Sequence, residues 1–323
     1  MAADLISTGM KAAVIDRYGG NEAVLIRDVA LPAPGRNDVL VKVHAASINP
    51  VDWKIRAGMI KILSGRSFPK ILGSECAGEI AGTGAGVTGF QKGDQVVVFL
   101  GIRRLGAFAE YAAADGQNTF VKPRDITFGQ ASAIPIAGIT ALQALRNLGH
   151  IEPGKKVLIN GASGGVGHFA VQIAKVFGAA VTAVCSGANT DFVRGLGADR
   201  TIDYEAEDFT KGEERYDIIF DAVSKRTFGE CKRVLTLTGV YVNTLPAFSV
   251  LLSQYVTGFL TGRKAASVMI RPNARDMEWM RTEIEGGRIR IVVDRVYPLD
   301  QIQEAFEYSE TGKARGKIII QII

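Results

Sequence analysis

The chain has 323 residues, 47% of them hydrophobic and 22% charged, three cysteines and a formal net charge of +5. That apolar content excludes a disordered chain, and the scattered Cys76, Cys185 and Cys231 exclude a disulfide scaffold and a zinc ribbon. The basic residues are spread along the chain with no run of five, so the positive balance does not point to nucleic acid.

Length alone predicts about two domains. The first nine residues have neither the basic start nor the apolar core of a secretory signal, so a reducing, cytoplasmic setting is expected. A strand is predicted at residues 10–15, followed by a turn at Gly19 and Gly20. Residues 38–50 alternate apolar and polar side chains, the pattern of a half-buried strand. Gly73, Gly78, Gly82, Gly84, Gly86, Gly89 and Gly93 then punctuate apolar pairs, as tight antiparallel turns do. Residues 1–130 are therefore expected to form a β-rich domain of Greek-key or barrel type.

Near Ala131 the pattern changes to strands alternating with helices. Residues 155–160 read as a buried strand. The helix after it carries Val166, Phe169, Ala170, Ile173, Val176 and Phe177 on one face and stops at Gly178. Further strands are expected at 179–184, 200–203, 216–223 and 239–243, with a helix at 190–197. Strand and helix alternating in this way imply parallel crossovers and a doubly wound sheet over residues 131–285. Residues 286–323 return to the first domain, through a helix with Ile302, Ala305, Phe306 and Ser309 on one face and Asp300 as its N-cap, then a closing strand from Lys317. Residues 245–262 carry no charge. Their length is at the lower limit for a membrane span, and Pro246 and Gly258 argue against one. A cover over a cleft or a subunit contact is expected there, with peripheral membrane contact as the competing reading.

The sharpest motif is Asn160-Gly-Ala-Ser-Gly-Gly-Val-Gly167, which links a buried strand to an amphipathic helix. In that context it is a dinucleotide fingerprint of AxGxxG form. Ser163, Gly164, Gly165 and Val166 would bring backbone N–H groups and the helix N-terminus to a pyrophosphate. An NAD site usually has an acid about 20 residues later, on the ribose hydroxyls. The second strand here runs into Cys185-Ser-Gly-Ala-Asn189 with no acid at its tip. NADPH is therefore the expected cofactor, with Ser186, Gly187, Asn189 and Tyr204 as candidate contacts of its 2′-phosphate and Arg200 or Lys211 as nearby sources of charge.

The segments at 47–58, 72–80, 93–98, 137–145, 162–175, 196–199 and 314–320 resemble, in order and spacing, the medium-chain dehydrogenase/reductase superfamily. The likeness is to its zinc-independent quinone oxidoreductase branch, near the chloroplast-envelope quinone oxidoreductase-like, alkenal/enone reductase and reticulon-interacting mitochondrial groups. It implies a GroES-like catalytic domain, a Rossmann domain, an active site in the cleft between them and a homodimer. It also implies roles for particular residues. Asn49, Asp52 and Lys54 would border the nicotinamide, with Lys54 the foremost contact for the cofactor or the substrate oxygen. Thr140, Val223, Val242 and Asn243 would touch the nicotinamide end, and Arg315 and Lys317 would close the cofactor cleft. The zinc ligands of other members fall on Asn49, Ser74 and, approximately, Ile136, so no metal is expected. The expected activity is hydride transfer from NADPH to quinones or α,β-unsaturated carbonyls. Enoyl-thioester reduction is the alternative enzyme reading, and an NADPH-binding regulatory or membrane-peripheral protein with little turnover is the alternative of another class.

Overall fold

A computed structural model describes residues 9–245 and 262–323. Almost all of the uncharged segment at 245–262 therefore lies outside the described residues. Two compact units are formed. The first comprises Met1–Ile136, Pro272–Glu285 and Ile291–Ile323; the second comprises Ala137–Arg271 and Gly286–Arg290.

The N-terminal part of the first unit supplies β1 (Met10–Ile15), β2 (Val24–Val29), β3 (Asp38–Ile48), β4 (Lys70–Ile71), β5 (Glu75–Thr83), β6 (Gln95–Phe99), β7 (Tyr111–Asp115) and β8 (Thr119–Val121). β1 lies between β2 and β4 in a three-stranded sheet. β3 pairs with both β5 and β7, all antiparallel. Alternation predicts a strand wet on one face, yet β3 is buried at nine of its eleven positions. The second face is covered as well: His44 of β3 stacks on Phe128 with ring centroids 4.2 Å apart.

The second unit is one parallel sheet of β9 (Lys156–Asn160), β10 (Ala180–Cys185), β11 (Arg200–Asp203), β12 (Tyr216–Asp221), β13 (Leu235–Asn243) and β14 (Lys264–Ser267). Their order is β11-β10-β9-β12-β13-β14, which is the 3-2-1-4-5-6 order of a Rossmann fold. β14 has no counterpart among the expected strands; it is short, and it follows the uncharged segment that obscures its start. The helix Gly167–Val176 buries Phe169, Ala170, Ile173 and Ala174.

The chain then returns to the first unit with β15 (Val293–Pro298) and β16 (Lys317–Gln321). β16 runs antiparallel to β3, pairing Ile318 with Ile48. The helix Ile302–Glu310 buries Ile302, Ala305 and Phe306 against the β-core, Phe306 meeting Phe108 edge-on at 6.0 Å. Asp300 is not its N-cap. It sits inside a 3₁₀ turn, Leu299–Gln301, and Gln301 holds the cap position. The sequence boundary at 285/286 also moves. The helix Ala274–Glu285 belongs with the first unit, where the Glu285 carboxylate accepts the Arg124 N–H at 2.9 Å. Among the described residues one helix, Phe128–Leu148, is long and apolar enough to cross a bilayer, and it is mostly buried in the protein.

Candidate cofactor site and polar cluster

In the second unit, β9 ends in a turn that doubles back at once. The N–H groups of Gly161 and Ala162 both donate to the Val184 carbonyl of β10, at 3.1 and 3.0 Å. Gly161 has φ +78°, and a Cβ there would meet Val223 at 2.5 Å. At Gly167 a Cβ would lie 2.1 Å from the Gly161 carbonyl oxygen, so the helix starts directly on the end of the strand. Gly164 differs: a Cβ there would meet only the Gly161 carbonyl, at 3.5 Å. The turn is thus closed on its strand side and open at Gly164. His168, in the first turn of the helix, already donates its N–H to the Gly164 carbonyl at 3.0 Å; the N–H groups ahead of it are the ones a helix start leaves for a ligand. A cradle of this shape fits a pyrophosphate.

The turn after β10 folds against this cradle. Asn189 Nδ2 donates to Ser163 Oγ at 3.3 Å and to Ser186 Oγ at 3.1 Å, while its buried Oδ1 has no hydrogen-bond partner. Register places Asp203, at the end of β11, beside Cys185. Asp203 Oδ2 lies 2.6 Å from where a Gly187 Cβ would be. Tyr204 follows it, 57% exposed, with burial and then the Glu205 and Asp203 carboxylates raising its hydroxyl pKa. Neither expected cation is at this loop. Arg200 begins β11, at the opposite end of the strand from Asp203, and its guanidinium meets Glu214 at 2.8 Å and Glu207 at 3.9 Å. Lys211 faces Asp208 at 4.0 Å.

The ends of β9, β12 and β13 are joined by polar contacts. Asn160 Nδ2 donates to Asp221 Oδ1 at 2.9 Å, and Tyr241 donates to Asp221 Oδ2 at 3.2 Å. Beside them Val223 is 43% exposed at the glycine turn. Val242 is fully buried, and Asn243 accepts from Ser267 Oγ at 2.6 Å. Thr140 lies in the α-turn Ile139–Leu142 between two π-helical stretches, Ile134–Gly138 and Gln143–Leu148, and is nearly buried.

A second polar cluster belongs to the first unit, and strand register assembles it. β3–β5 pairing sets Ala46 against Cys76 and so brings Ser47 beside Glu75. β16–β3 pairing sets Ile318 against Ile48 and so brings Lys317 beside Asn49. Glu75 Oε1 accepts from the Ser47 hydroxyl, from Asn49 Nδ2 at 2.7 Å and from Lys317 Nζ at 3.2 Å; Oε2 accepts the Ile136 N–H at 2.6 Å. Lys317 Nζ also donates to Asn49 Oδ1 at 2.6 Å. Asp52, in the first turn of the helix Pro50–Arg56, accepts the Asn49 N–H at 2.8 Å and the Ser74 hydroxyl at 2.7 Å. Burial pushes the Asp52 carboxyl up to about 7, with the Glu75 charge adding to the rise.

Asn49 links the network, giving its N–H to Asp52 and meeting Glu75 and Lys317 through its side chain. Lys317 is only 3% exposed, far from a cleft-closing cation, whereas Arg315 is exposed. Lys54 alone of the Asn49–Lys54 stretch has an available head. It is half-buried, which lowers its pKa, and its ammonium lies 5.3 Å from the Trp53 ring centroid. Sequence reasoning missed Ser47, Ser74 and Glu75 as one network; only strand register unites them.

The residues do not fit a metal. At the positions that hold zinc in other members stand an amide, a hydroxyl already given to Asp52, and an aliphatic side chain. Of the two carboxylates beside them, Glu75 is matched by the Lys317 ammonium and Asp52 accepts from Asn49 and Ser74. Among the described residues no group of three or more His, Cys, Asp or Glu side chains is placed to hold an ion.

A doubly wound sheet with an open glycine turn at the end of its first strand defines a dinucleotide-binding fold. Residues 35–124 match the alcohol dehydrogenase GroES-like domain, and residues 196–320 match the zinc-binding dehydrogenase family. The chloroplast envelope quinone oxidoreductase homolog of Arabidopsis thaliana is 36% identical, over 97% of this chain and 98% of its own. A human mitochondrial NAD(P)H oxidoreductase is 32% identical, over 98% of this chain and 90% of its own. The quinone oxidoreductase of Coxiella burnetii superposes with a TM-score of 0.91 at 30% identity, covering 97% of this chain and 99% of that one. The chain belongs to the medium-chain dehydrogenase/reductase superfamily, in its quinone oxidoreductase branch. It is an oxidoreductase whose cofactor is a nicotinamide dinucleotide.

Proposed function

We propose that the protein is a zinc-independent, NADPH-using reductase of quinones and α,β-unsaturated carbonyls. The observation that carries the reading is the glycine cradle at Ala162–Gly167, open at Gly164 and faced by Ser163, Ser186 and Asn189. NADPH is accommodated because β10 itself ends without an acid and the turn after it offers Ser186 and Asn189 as donors to a 2′-phosphate. When bound, the nicotinamide supplies a hydride. Conjugated acceptors suit a site without a metal, because the negative charge that develops moves onto their own oxygen and needs only an aimed donor. Lys54 supplies that donor: a half-buried ammonium, not neutralised by a carboxylate among the described residues. The cluster of Asp52, Asn49, Ser74, Glu75 and Lys317 fixes the first turn of the helix Pro50–Arg56, and with it the base of Lys54. Asn49 and Asp52 are thus positioning residues. The relatives' names, a quinone oxidoreductase and an NAD(P)H oxidoreductase, support the same reading.

The test follows oxidation of NADPH and NADH in parallel, in the presence of a chelator. The acceptors are a benzoquinone, a naphthoquinone, an alkenal, an enone, an enoyl thioester and a simple aldehyde. Turnover of a quinone or an enone supports the proposal. Turnover of the thioester or simple aldehyde alone, or of nothing despite cofactor binding, overturns it.

A further inference from the structure

We infer that Asp203 is the residue that sets cofactor choice: its carboxylate occupies the ribose end of the dinucleotide site in place of the missing second-strand acid, so the protein takes NADH alongside NADPH. This inference rests on the dinucleotide reading of the glycine turn. Three observations place Asp203 at the site. β11 pairs with β10 so that Asp203 stands beside Cys185, the last residue of β10. Its Oδ2 approaches Gly187 so closely that a side chain there would strike it at 2.6 Å. The turn it abuts, 186–189, is tied to the glycine cradle through Asn189 and Ser163.

One carboxylate oxygen is already held: Asp203 Oδ1 accepts the Glu205 N–H at 3.0 Å. Among the described residues Oδ2 carries no hydrogen bond, so it is available to accept from a ribose hydroxyl. The same charge opposes a 2′-phosphate. Arg200 and Lys211 pair elsewhere, and Arg194, whose charge reaches Cys185, is 59% exposed and 3.9 Å from Asp191, so solvent screens it. Ser186 and Asn189 still offer neutral donors to a phosphate. Attraction by donors and repulsion by Asp203 act in opposition, and discrimination between the two cofactors is small.

The test measures binding of 2′,5′-ADP and 5′-AMP to the cofactor-free protein by calorimetry, for the wild type, Asp203→Asn and, as a second neutralised form, Asp203→Ser. Ala188→Arg, which adds a cation to the same turn, is the control. The expected wild-type affinities for the two fragments differ by less than about tenfold, which is about 1.4 kcal/mol. Both Asp203 variants should tighten 2′,5′-ADP about tenfold without tightening 5′-AMP. If Ala188→Arg tightens 2′,5′-ADP and the Asp203 variants do not, the inference falls while the cofactor site stands. If the wild type prefers one fragment by more than a hundredfold, the inference also falls. If neither fragment, nor NADPH nor NADH, binds the wild type, the dinucleotide reading itself fails.

Discussion

At the scale of the residue, Gly164 and Gly167 separate cofactor binding from folding. A methyl group at Gly164 meets only ordinary contact distance, so Gly164→Ala should unfold within about 0.5 kcal/mol of the wild type. It projects into the open side of the cradle, so dinucleotide affinity, measured by fluorescence titration, should fall at least about tenfold, which is about 1.4 kcal/mol. Unchanged affinity would place the pyrophosphate elsewhere. Lys54 makes a complementary case. Lys54→Met should lower turnover by about a hundredfold, as loss of one aimed donor does, and leave cofactor affinity unchanged. Equal loss in both would assign Lys54 to cofactor binding instead. The glycine turn is legible in the sequence because its contacts span only a few positions. Asn49 and Lys317 are not, because their bond joins residues 268 positions apart.

At the scale of the element, the helix Pro50–Arg56 is fixed by buried polar groups, and their charge has a consequence for stability. The Asp52 carboxyl, near 3.8 in an ordinary setting, rises to about 7 when buried. Between those values the native chain holds a proton that the unfolded chain has lost. The Asp52 contribution is therefore present at low pH and is lost as pH rises from about 4 to about 7, at up to about 1.4 kcal/mol per pH unit. Asp52→Asn removes this dependence. Denaturant unfolding across that range should show the stability of the wild type, relative to the variant, declining with pH and then levelling above about 7. A relative stability that rises with pH would contradict the burial of Asp52 as its controlling feature. Elements were legible where periodicity is strong: β1 is as expected from Met10 to Ile15, and the stripe on Ile302–Glu310 points into the core. Alternation reports only one covered face of β3; Phe128, far along the chain, packs on His44 at the other. The Asp300 cap was misjudged because the first turn tightened to 3₁₀.

At the scale of the whole molecule, the order of strands in the second unit and the discontinuity of the first follow from patterns spread over the chain. Glycine-punctuated strands, then strand–helix alternation, then a closing strand imply two folding units with a returning tail. Register then does what no local pattern does: it brings Ser47, Asn49, Glu75 and Lys317 together and sets an ammonium beside the carboxylate where other members of the superfamily hold a metal. The central claim is hydride transfer without a metal to the conjugated carbon of a substrate. It is tested most directly with NADPH deuterated at C4, a simple enone and chelator-treated protein, with the product examined by NMR. The account predicts turnover that chelation leaves unchanged, with one deuterium on the carbon β to the carbonyl. Deuterium on the carbinol carbon, or loss of turnover on chelation that zinc restores, would contradict it.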